Sequence, residues 1–80
     1  MLSVRILTSE KLLHEGVAQA AFLPGALSPF EVLPGHAPLI SLLEKGVVRL
    51  RSENGEMEEF AIAGGLVKVE ADNIVICAEV

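Results

Sequence analysis

Apolar and polar residues alternate over short stretches of this chain, and the alternation is repeatedly cut by turn-forming clusters. Ser3 to Leu7 places Val4 and Ile6 against Arg5 and reads as a first strand, after which Thr8-Ser9-Glu10-Lys11 turns the chain. Leu12, Leu13 and His14 run to Glu15-Gly16, which reads as a second turn. Val17 to Leu23 is then a third extended segment; its alanines would also suit a helix, but too few residues separate Gly16 from Pro24 for a stable one. Farther on, Val47 to Arg51 and Met57 to Ala63 flank Asn54-Gly55, the clearest hairpin signal in the chain. A two-residue turn there would mix polar and apolar partners on both faces. One added residue instead pairs Leu50 with Phe60, Val48 with Ile62 and Arg51 with Glu59, which predicts a bulge or a three-residue loop near Glu56. Gly64-Gly65 breaks the chain, Leu66 to Glu70 alternates, Ala71-Asp72-Asn73 turns, and Ile74 to Ala78 reads as a final buried strand. The expected fold is all-β, a flattened β-sandwich or barrel of about eight to ten short strands forming one domain over residues 1–80.

One region departs from simple alternation. Phe22 to Gly46 holds all four prolines, and its two Leu-Pro-Gly triplets, at 23–25 and 33–35, force sharp changes of direction. Proline spacing excludes a long helix and leaves loop, strand, loop. Pro38 to Lys45 is the best helical candidate and offers one or two turns at most.

Composition narrows the function. Hydrophobic residues make up 51% and aromatics 4%, so the core is aliphatic, and the surplus of apolar side chains suggests that some are covered by a partner. A net charge of −5 with no basic cluster disfavours nucleic acid. The lone Cys77 excludes an internal disulfide and reads as a small buried hydrophobe of a reducing compartment. No stretch is long enough for a transmembrane helix or a signal-peptide core, so the chain is expected to be soluble and to stay where it is made.

Candidate chemistry is sparse. His14 and His36 lack cysteine partners or helical spacing, so neither a metal site nor a cofactor is expected. His14 reads as a solvated strand residue. His36 lies in the stiffest loop, where it bonds a nearby backbone carbonyl or presents a fixed side chain to a partner. No serine has the elbow of a hydrolase nucleophile, and the double glycine lacks the lysine of a phosphate loop. Glu53, Glu56, Glu58 and Glu59 read as a solvated, edge-protecting hairpin tip. A small enzyme built on His36 with Glu31 or Glu44 has no feature to support it, and no catalytic residue is assigned. The chain reads as a binding or assembly module.

Leu23-Pro24-Gly25, Phe30 to Ser41 with its Leu-Pro-Gly-His-Ala-Pro-Leu-Ile core, Leu43-Glu44-Lys45-Gly46 and Gly64-Gly65-Leu66-Val67 together resemble the N-terminal β-sandwich domain of the epsilon subunit of F-type ATP synthases. The opening, Val4 to Glu10 and Leu13 to Gly16, is similar as well, so the resemblance covers essentially the whole chain. It implies a non-catalytic rotor subunit of a proton- or sodium-driven synthase, peripheral to the cytoplasmic face of a bacterial membrane and linking the gamma subunit to the ring of c subunits. By the same resemblance His36, Ala37, Pro38 and Ser41 lie at the gamma interface, and Ser28, Pro29, Phe30 and Glu31 meet the c-ring. Pro29 stands where the family often carries an acid, which leaves Glu31 as its substitute. Typical members continue into two C-terminal helices that can inhibit ATP hydrolysis and in some bind ATP. A natural end at Val80 would imply coupling without that inhibition, whereas a shortened chain would imply nothing about regulation. Composition alone supports the alternative of a stand-alone β-sandwich module that binds another protein.

Overall fold

In a computed structural model describing residues Met1–Val80, alternate residues of β1 (Leu2–Leu7) are completely buried: Leu2, Val4 and Ile6. The same period of two recurs in β6 (Gly46–Arg51), β8 (Gly64–Glu70) and β9 (Asn73–Glu79). The remaining strands are β2 (Leu12–Ala18), β3 (Ala20–Leu23), β4 (Phe30–Val32), β5 (Leu39–Leu43) and β7 (Met57–Ile62), and there is no helix. Nine strands agree with the expected number. They form a five-stranded sheet in the order β2-β1-β9-β8-β5 and a four-stranded sheet in the order β4-β3-β6-β7. All pairings are antiparallel except that of the first and last strands, β1 and β9. The inward residues make a core of 16 buried side chains, all aliphatic, with Leu13, Phe30, Leu39 and Phe60 packed partly buried against it.

Several turns differ from the sequence reading, each for a pairing reason. Glu15-Gly16 is not a turn: β2 runs through it with Gly16 opposite Val4, and the chain instead changes sheets at Gln19, whose N–H donates to Arg51 O. Val17 to Leu23 is therefore two strands in different sheets. His14 is only partly solvated. It shares the inward face with Gly16 and Ala18, is half-buried, and its ring lies 4.9 Å from that of Phe60, bridging β2 and β7. Pro38 to Lys45 contains strand β5 and no helical turn.

The double glycine does not end a strand but opens β8, while Ala63 makes the corner and donates to Glu79 O. β9 is buried on one face only, so Cys77 is exposed, contrary to the expectation of a buried thiol. In the β6–β7 hairpin the loop does hold three residues, Glu53 to Gly55. Gly55 N–H donates to Ser52 O, Ser52 N–H donates to Glu56 O, and Gly55 takes a φ of 88°. This turn-plus-glycine geometry pairs Val48 with Phe60, Arg49 with Glu59 and Leu50 with Glu58, two residues away from the expected pairs. A displacement of two leaves each side chain on its expected face, which is why the assignment of inward and outward residues survives.

Candidate protein-binding surfaces

The loop between β4 and β5 is shaped by its proline and glycine. Pro34 supplies the fixed φ and Gly35 the φ of 84° of a type II turn, closed by His36 N–H donating to Leu33 O. The His36 Nδ1–H donates to Ala37 O at 2.7 Å, the backbone-carbonyl bond that a loop histidine was expected to make. Gly35 N–H donates to Asp72 Oδ1, also at 2.7 Å, in the turn between β8 and β9. His36 is half-buried while Ala37 and Pro38 are exposed, so the loop presents a short rigid ridge.

Beyond Pro38 the chain enters the edge strand β5, whose two faces diverge. Ile40 and Leu42 point outward, 68% and 64% exposed, whereas Ser41 lies on the opposite face beside Leu27, Ser28 and Phe30. Ser41 is thus separated from His36, Ala37 and Pro38 and joins the other group of candidate residues. The Gly25 to Pro29 loop is laid along this edge by Ala26 N–H donating to Leu42 O and by the bridge of Gly25 to Leu43. Ser28 and Pro29 are exposed at its tip. Phe30 turns its ring toward the core, and Glu31 sits on the outer face of the four-stranded sheet, in register with Phe22 and through it with Arg49 and Glu59. A shallow cleft there is lined by Phe22, Pro24, Pro29, Glu31 and Arg49.

The largest feature was not read from the sequence. Register across the five-stranded sheet aligns Leu12, Leu7, Cys77, Leu66 and Leu42 in one row on the outer face, one residue from each strand. The adjacent row, Glu15, Arg5, Val75, Lys68 and Ile40, carries the charges, with Arg5 and Glu15 paired at 3.5 Å. An apolar stripe thus crosses a sheet face that has no layer above it and reaches β5, the strand that follows the His36 loop. Its signal in the sequence was weak but present: Leu66 and Cys77 fall at outward positions of strands whose inward positions are already apolar. No cluster of three metal-ligating side chains occurs.

The family model for the "ATP synthase, Delta/Epsilon chain, beta-sandwich domain" matches residues 1–80. The ATP synthase epsilon chain of Wolinella succinogenes is 38% identical over 79 residues, a match covering 99% of this chain and 60% of that relative. Among solved structures, the fold is similar to part of the Euglena gracilis mitochondrial ATP synthase assembly of OSCP, F1 and c-ring. That match has a TM-score of 0.90 and 18% identity over 96% of this chain and 49% of the other. The central stalk and c-ring structure of the Tetrahymena thermophila mitochondrial enzyme contains a second match, with a TM-score of 0.79 and 17% identity over 99% and 63%. The chain therefore spans about 60% of the length of its curated relative, and the two structures share its fold.

Proposed function

Since the chain belongs to the delta/epsilon family of ATP synthase chains, whose β-sandwich domain accounts for all of residues 1–80, we propose that it is a non-catalytic central-stalk subunit of a rotary ATP synthase. In this reading it links the gamma subunit to the c-ring and passes the ring's rotation to the stalk, coupling proton flow to ATP synthesis. It associates peripherally with the cytoplasmic face of a bacterial membrane through the complex alone. The observation that carries the partner assignment is the apolar row from Leu12 to Leu42, a stripe that a solvated monomer has no reason to keep.

The gamma subunit covers this outer face together with the His36, Ala37 and Pro38 ridge, which continues into it through β5. The c-ring meets the other side of β5, where Ser28 lies beside Ser41, and the adjoining cleft where Pro29 and Glu31 lie together, with Glu31 supplying a carboxylate and Phe30 supporting the loop from within. No chemical step is assigned to these residues: their work is to transmit torque, for which a rigid two-sheet body with short loops is suited.

Co-expression with the gamma subunit from the same source tests this. The expected result is a complex that survives purification, is weakened by His36→Ala and Pro38→Ala, and is lost with Leu42→Asp plus Leu66→Asp. A folded chain that fails to bind gamma at micromolar concentration would overturn the reading and favour a binding module for some other protein.

A further inference from the structure

We propose that Asp72 is a positioning residue that holds the His36 loop in its partner-binding shape. The inference rests on the reading that this loop meets gamma. The hydrogen bonds inside the loop, His36 N–H to Leu33 O and His36 Nδ1–H to Ala37 O, set its curvature but tie it to nothing else. Between residues 33–38 and the rest of the molecule there is one hydrogen bond, Gly35 N–H to Asp72 Oδ1, spanning 37 positions of sequence. The loop also crosses from one sheet to the other, so neither sheet's ladder extends into it. Without the carboxylate, it is anchored only at its two ends.

Asp72 is itself well fixed. It is the second residue of a two-residue hairpin turn, with a φ of 63°, and its carbonyl accepts Ser3 N–H at 2.8 Å. Glycine or asparagine would suit that left-handed conformation equally well or better, so turn geometry alone gives no reason for an aspartate. An anionic acceptor on a backbone amide does give one, because a charge-assisted bond is stronger than a neutral one. The bond joins the end of the five-stranded sheet, at the β8–β9 turn, to the ridge that continues into its outer face. It therefore sets the loop in register with the apolar stripe.

Two substitutions separate the carboxylate from the turn. Asp72→Gly keeps the left-handed turn and removes the acceptor, while Asp72→Asn keeps both. Amide exchange of Gly35 and His36 is followed by NMR on the free chain, and affinity for gamma and the melting temperature are measured alongside. Asp72→Gly is expected to speed Gly35 exchange and to weaken gamma binding, each by about threefold to tenfold, at a nearly unchanged melting temperature. Asp72→Asn, which offers a neutral acceptor in place of the charged one, is expected to recover part of each loss and to fall between Asp72→Gly and the starting chain. Unchanged Gly35 exchange in Asp72→Gly would overturn the proposal, as would a binding loss that Asp72→Asn fails to recover in part or that follows the melting temperature. If the unmodified chain does not bind gamma, the functional reading fails and the partner role of Asp72 fails with it. Gly35 exchange then still decides whether the carboxylate orders the loop.

Discussion

Gly64 and Gly65 are adjacent, both lie in β8, and are expected to respond oppositely to alanine. A Cβ on Gly65 would run into the carbonyl oxygen of Cys77 and stand 3.2 Å from Ala78 Cα, whereas one on Gly64 would meet nothing closer than Leu43 O at 3.5 Å. The obstruction at Gly65 is backbone on the paired strand β9, and β8 is held on its other side by β5, so neither neighbour can retreat without opening a ladder. Forcing the methyl in costs about 1–3 kcal/mol of strain. It also costs about two weakened backbone hydrogen bonds at about 1 kcal/mol each. Replacing glycine returns about 0.4–1 kcal/mol by stiffening the unfolded chain. The net loss for Gly65→Ala is about 3 kcal/mol, a fall in melting temperature of about 12–24 °C for a domain of this size. Gly64→Ala keeps only the unfolded-state term and is expected to be neutral or slightly stabilising. The chain has no Trp or Tyr, so urea unfolding is followed by far-ultraviolet circular dichroism rather than intrinsic fluorescence. Equal stabilities of the two variants within about 0.5 kcal/mol would refute the steric argument.

Ala71 occupies the first turn position between β8 and β9 with a φ of 49°, a left-handed conformation that is costly for alanine and better tolerated by asparagine, whose short polar side chain hydrogen-bonds locally. Ala71→Asn is therefore expected to stabilise the chain by about 1 kcal/mol, measured as a rise of about 4–8 °C in melting temperature. Arg49 and Glu59 pair at 2.9 Å with both side chains more than half exposed. A double-mutant cycle should give a coupling of no more than about 0.5 kcal/mol, falling further in 1 M salt. Cys77 is expected to react stoichiometrically with a thiol reagent while the chain remains folded, and Cys77→Ser to change stability by less than about 0.5 kcal/mol. Protection of this thiol in the complex with gamma would locate the partner on the five-stranded sheet, and full reactivity there would exclude that face.

Much of this protein is determined by its sequence alone. The period of two is a local property, so the inward residues of β1, β6 and β8 could be named before any pairing was known. The turns at Thr8 to Lys11, Leu33 to His36, Asn54-Gly55 and Ala71-Asp72 follow from residue chemistry confined to a few positions. The long Leu-Pro-Gly-His-Ala-Pro-Leu-Ile run marked the family. Only the tertiary structure decided what depends on a residue's neighbour in space. Gly16 looks like a turn until Val4 is placed opposite it, Gly65 looks like a break until Cys77 O is seen where its side chain would be, and Cys77 looks buried until its outer face is found bare. The apolar row is the fullest case, since Leu12, Leu7, Cys77, Leu66 and Leu42 are scattered along the chain and become a surface only when five strands are laid in register. Register is a sum of long-range backbone pairings and turn geometries, and no single stretch of the chain contains it.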